Sequence, residues 1–144
     1  METLDVLLES ARRHVRHDEE DVREWSRATS LSDSAILRAR ITAVADRMRA
    51  TFAELAEVEL LCQGRAAQGQ FDESILRQIQ AVASQQAGNA DAMLAYAGSL
   101  SNDAKPGPVV LADLEMVRFE ANELADVLDG EIQYWRGDKG ISLD

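Results

Sequence analysis

The sequence predicts an all-α fold, an antiparallel four-helix bundle of long helices. Three observations carry that expectation. Apolar residues recur every three or four positions through nearly the whole chain, the period of an amphipathic helix. Helix formers such as Ala, Leu, Glu, Arg and Gln abound, whereas 144 residues include two prolines and eight glycines. Three short joints of capping and turn residues then divide the pattern into four pieces, and short joints favour antiparallel neighbours.

Helix 1 is expected over about residues 3–28, with Leu4, Leu8, Ala11, Val15, Val22 and Trp25 along one stripe. The joint ATSLSDS follows, where Ser32 or Asp33 can cap the next helix by accepting from its free N–H groups. Helix 2 covers about 34–66, its stripe being Leu37, Ile41, Val44, Met48, Phe52, Leu55 and Cys62. GQFDES forms the second joint, with Asp72 as the expected cap. Helix 3 covers about 73–100 through Ile75, Ile79, Val82, Ala90, Met93, Ala97 and Leu100; its middle, AVASQQAGNADA, is small and polar. SNDAKPGPVV cannot continue a helix, because proline lacks the N–H and clashes with the preceding turn. Helix 4 is expected over about 111–136, with Leu114, Val117, Ala121, Leu124, Leu128, Ile132 and Trp135 inward. The tail 137–144 is expected to fray or pack back as a short extended piece, and residues 1–144 read as one domain.

A formal net charge of −11 argues against a DNA-duplex or membrane-surface role, since both need clustered Lys and Arg to meet phosphates. The excess concentrates at the end, where residues 105–144 carry nine acidic and four basic side chains. The single cysteine, Cys62, can form no intrachain disulfide and reads as a small buried hydrophobe. No apolar run approaches a membrane span, and METLDVLLESARRH lacks the features of a secretory signal, so a cytoplasmic location is expected.

Helix 4 has a second apolar face. Met116, Phe119, Val127 and Tyr134 fall away from its main stripe, beside Glu120, Glu123 and Asp126. A surface helix with two apolar faces is expected to meet a partner. The first functional expectation is therefore a small acidic interaction module: an adaptor, chaperone, antitoxin-like protein or regulatory subunit. Its contact residues are those seven, its partner is a basic or amphipathic protein, and it needs no cofactor. Long helices also allow two chains to pair through helix 4 as a homodimer.

A second expectation rests on carboxylates. Glu54 and Glu57 in FAELAEVELL share the three-residue spacing of Glu123 and Asp126 in NELADVL, and four such oxygens facing one another suit Mg²⁺. Those ExxE and ExxD patches, with KGISLD downstream and REWS upstream, resemble the all-α MazG-like nucleotide pyrophosphatases. The resemblance implies Mg²⁺-dependent hydrolysis of a nucleoside triphosphate to monophosphate and pyrophosphate, with those four residues as metal ligands. Here a whole helix separates the motifs, Ala53 stands where an acid often precedes ExxE, and Gly130 stands where an aromatic residue is common.

Helix 1 offers a third reading. In RRHVRHDEED, His14 and His17 lie three apart and can share a metal ion. VRHDEED also resembles the RHDxxN box of phosphotransfer histidine kinases, with Asp21 in the place of Asn, which would make His17 the phosphate acceptor. Arg12 and His17 match the RxxxxH spacing of helical HEPN ribonucleases. The alternative for all of these is a charged helix face with i, i+4 ion pairs. Arg136-Gly137-Asp138 matches an adhesion motif but reads as a helix terminator.

Overall fold

A computed structural model describes residues 2–27, 34–100 and 102–138. The expected caps Ser32 and Asp33, the side chain of Trp25 and the tail beyond Asp138 lie outside the described residues. Four helices run in order: α1 (Glu2–Arg27), α2 (Ser34–Ala67), α3 (Glu73–Gly98) and α4 (Pro108–Gln133). Their packing is that of a four-helix bundle, and no described segment forms a strand.

The joints follow from local chemistry. At the end of α2, Gly69 adopts φ 85°, a conformation that costs glycine little because it has no Cβ. The Gln70 N–H then reaches back to the Arg65 carbonyl at 2.8 Å and closes the helix. Asp72 caps α3 by accepting from the Ile75 N–H at 3.2 Å, as its place in the sequence predicts. Helix α4 starts at Pro108, three residues earlier than expected. Proline belongs at a first helical position, where its missing N–H would have no partner in any case. At the other end, Tyr134–Asp138 forms a π-helical turn that includes Arg136-Gly137-Asp138, the last of the described residues.

Ion pairs reveal the order of the helices around the bundle. Glu54 with His14, and Arg47 with Asp18 and Asp21, tie α2 antiparallel to α1. Arg77 with Asp129, and Arg118 with Asp91, tie α4 antiparallel to α3. Arg49 reaches Asp113 from α2 to α4, while Gln85 donates to Glu19 between α3 and α1. Helices α1 and α4 therefore occupy opposite corners, and α4 leans chiefly on α3.

Each residue of the four predicted stripes whose side chain is described is buried or half-buried. The core nevertheless has two parts. One gathers Leu4, Leu8, Leu55, Leu76, Ile79, Leu128 and Ile132. The other gathers Leu37, Ile41, Met48, Met93, Leu114 and Val117. Between them lies a polar layer. Asp18 is 1% exposed and accepts from Arg47 at 2.9 Å and from Gln86 at 3.2 Å. Asn89 donates to the Gln86 amide oxygen at 2.9 Å and to the Val15 carbonyl at 3.0 Å. The small, polar middle of helix 3 is therefore part of the core.

Burial raises the Asp18 carboxyl above its ordinary range, against the pull of its bonds to Arg47 and Gln86. Arg47 shifts upward as well: burial opposes its charge, but Asp21 and Asp18 together outweigh that. Both shifts are upward, which favours the charged form of Arg47 but the neutral form of Asp18: Arg47 is shared with Asp21 at 2.5 Å, so the buried Asp18 receives only part of one cation.

Removing that cation isolates a buried carboxylate. Arg47→Met is expected to cost about 3 kcal/mol at pH 7, measured by urea denaturation. The loss shrinks as pH falls, because a protonated Asp18 no longer requires a cation. Adding Asp18→Leu to Arg47→Met recovers part of it.

Candidate functional site

The outer face of α4 is built as its sequence spacing requires. Residues 116, 127 and 134 recur at intervals of 11 and 7, close to whole helical turns, so they line one side. Met116 is 57% exposed, Phe119 64%, Val127 53% and Tyr134 50%. Glu120, Glu123 and Asp126 are exposed on the same side. All seven predicted contact residues thus share an uncovered, mixed apolar and acidic face.

This face continues into the seam between α4 and α2, where two hollows open. The upper one, about 110 Å³, is lined by Arg49, Phe52, Asp113, Met116, Val117 and Glu120. The lower one, about 500 Å³, is lined by Gln63, Ala67, Val127, Glu131 and Trp135. At its edge the Tyr134 and Trp135 rings meet edge to face, with centroids 5.0 Å apart and planes at 82°. That contact holds Trp135 half-buried while Tyr134 stays outside.

The lower hollow contains an acid pair that the spacing arguments did not single out. Glu59 on α2 is 8% exposed and accepts from the Gln63 amide. Both carboxyl oxygens of Glu131 on α4 are buried, with the Glu59 carboxyl and the Gln63 amide beside them. Two ionised carboxylates are both acceptors, so Glu59 and Glu131 can join only through a shared proton. Burial, then the hydrogen bond and negative charge of Glu59, push the Glu131 carboxyl up to about 7. Cys62 nearby is buried, and burial with the charge of Glu131 pushes its thiol up to about 11. It remains protonated at neutral pH and behaves as the small hydrophobe its stripe position predicts.

A signal for these residues was present in the sequence. Glu59 interrupts the stripe from Leu55 to Cys62, and Glu131 interrupts that from Leu128 to Trp135. Asp18 falls between Val15 and Val22 in the same way. A charged residue in apolar phase marks a buried carboxylate that needs a partner.

The four carboxylates of the pyrophosphatase resemblance have separate surroundings. Glu54 turns toward α1, where it accepts from Ser10 Oγ at 3.1 Å and from His14 Nδ1 at 3.0 Å. Glu57 is exposed, and Glu123 and Asp126 lie on the outer side of α4. Among the described residues no three His, Cys, Asp or Glu side chains are arranged to hold a metal ion. His14 and His17 instead border a cleft of about 190 Å³ between α1 and α2, with Arg47, Ala50, Thr51 and Glu54. Asp21, the acid of the phosphotransfer box, is held by Arg47. Arg12 pairs with Glu9 at 2.6 Å and donates to Gln78, away from His17. Arg23 pairs with Glu19 at 3.3 Å, an i, i+4 pair on the charged face of α1. No described helix is long and apolar enough to cross a membrane.

Comparison with protein-family models, with curated proteins and with solved structures returned no match. The class of protein is thus defined by architecture alone: a four-helix bundle with an open face on α4.

The acid pair makes stability depend on pH. Unfolded, Glu131 titrates near 4.5; folded, near 7. Between those values the folded chain holds a proton that the unfolded chain has released, so stability falls as pH rises through that window. Glu131→Gln keeps a donor toward Glu59 without the charge. It is expected to stabilise the protein by about 1 kcal/mol at pH 8, discounted for partial exposure, or about 3 °C in Tm. At pH 4.5 the two proteins should melt together.

Proposed function

We propose that the protein is a small interaction module that binds another protein through the outer face of α4. The observation that supports this reading most is that Met116, Phe119, Val127 and Tyr134 are exposed together along one side of α4, whereas Val6, Ile36, Leu60, Leu61 and Val109 are exposed at scattered places on the bundle. Leaving the four on α4 in water forfeits hydrophobic stabilisation that a partner would recover. The acids among them select the partner. Glu120, Glu123 and Asp126 repel another acidic surface and attract a basic one. An isologous homodimer would stack these same acids against their copies, in a chain that already carries −11. The isolated protein is therefore expected to be a monomer that awaits a basic or amphipathic partner. Adaptors, chaperones, antitoxin-like proteins and regulatory subunits all share this requirement, and the activity concerned is that of the partner.

Two surface variants test the reading. Met116→Asp with Phe119→Asp removes apolar contact, whereas Glu120→Lys, Glu123→Lys and Asp126→Lys together reverse the charge. Both sets should leave unfolding free energy within about 1 kcal/mol of the parent, because the residues are exposed. Each should weaken binding to a partner captured from the source cells by about 10-fold or more. Equal capture by the parent and both variants, or no capture at all, would remove the basis of this reading.

A further inference from the structure

The seam between α2 and α4 carries the partner question further than the outer face alone. On α2, Leu60 stands three residues before Gln63 and seven before Ala67, so it shares their side of the helix. It is 63% exposed. On α4, Val127, Glu131 and Trp135 follow at intervals of four and line the same hollow. The seam from Arg49 to Ala67 is about 27 Å long at the helical rise, the length of about five turns of a docked helix. Its rims are apolar, as a helix-binding groove requires.

Acids outnumber the cations that border the hollows. Glu120, Glu59 and Glu131 border the two hollows, whereas Arg49 is already engaged by Asp113 at 3.5 Å and Asp46 at 3.7 Å. The ionisable groups around the lower hollow are Glu59, Cys62 and Arg65 from α2 and Asp72 before α3. Glu73 of α3 is paired there with Arg136 at 3.5 Å and with Arg77 at 3.6 Å. The Glu131 oxygens are already closed off from water, and an apolar or acidic occupant would bring them no cation, which leaves an ionised pair costly. A guanidinium supplies several donors in a planar fork that fits a carboxylate.

Resting on the interaction reading above, we propose that this groove seats a cationic amphipathic helix of the partner. Its apolar side lies between Leu60 and Val127, and one arginine reaches the Glu59–Glu131 pair. The proton held by that pair in the free protein leaves as the arginine enters. The carboxylates are then satisfied by a cation, and the affinity rises from pH 6 to pH 8. An anionic membrane surface offers no such group, and a second copy of this chain brings its arginines only with a net charge of −11.

The full chain, isotopically labelled, tests this against synthetic 18-residue helices followed by NMR. One peptide carries Leu at i, i+3, i+4 and i+7 with Arg elsewhere; a second replaces Arg by Glu; a third scrambles the first. The Arg peptide should bind at pH 8 and move the amide signals of residues 60–67 and 127–135, and the Glu and scrambled peptides should not. Glu131→Gln, a variant expected to fold at least as well as the parent, should weaken binding about 10-fold and flatten its pH dependence. Leu60→Asp should weaken it similarly. If the Arg peptide binds on the Phe119 side, or is insensitive to Glu131→Gln, the groove assignment is wrong while α4 remains a contact face. Binding no tighter than the scramble, or equal binding to anionic phosphatidylglycerol vesicles, overturns the groove assignment too. The lysate capture above decides the broader reading separately.

Discussion

The buried hydrogen-bonded layer of Asp18, Gln86 and Asn89 is the constraint on which the rest of this bundle depends. Apolar helices can slide past one another by a turn with little change in buried area, because one aliphatic side chain fills a hollow much as another does. A carboxylate inside the core cannot slide. It requires Arg47 from α2 and Gln86 from α3 at one height, and Asn89 then grips the α1 backbone at Val15. Three helices are thereby held in a single register, a role that buried polar groups serve well in helical assemblies.

Placement of α4 follows from that register. With α1, α2 and α3 locked together, the last helix fits the remaining corner. It is held by apolar contacts to α3 and by ion pairs from Arg77, Arg118 and Arg49. Only part of its circumference is used. The uncovered part carries Phe119 and its apolar neighbours, and the seam toward α2 carries the buried acids. The exposed apolar and acidic face is thus the one the polar layer leaves free, while the histidines of α1 sit in a cleft beside the cation that holds the layer together.

Much of this was legible in the residues. Stripe phase predicted the buried face of every helix, and the sidechain cap at Asp72 was visible from its place before an apolar run. The second face of α4 was equally legible, since residues 116, 127 and 134 are in phase whatever surrounds them. Less legible were the acids in apolar phase. Glu59 and Glu131 are 72 positions apart, and nothing local says that they meet. Spacing instead drew attention to Glu54 with Glu57 and Glu123 with Asp126, pairs whose i, i+3 separation arises readily on any charged helix. The π-helical turn was also hidden, because a single inserted residue at a helix end leaves no signature distinct from fraying.

By itself the sequence determined four helices, their joints, their buried stripes and the acidic, doubly apolar character of α4. Those properties depend on interactions within about a turn of chain, where residue type and period decide the outcome. Tertiary structure alone decided which helices became neighbours. It turned Glu54 toward His14 on α1, set Asp18 against Gln86, and brought Glu131 to Glu59 beneath an open groove. These are contacts between side chains roughly 40 to 70 positions apart, and their partners are chosen by the packing of whole helices.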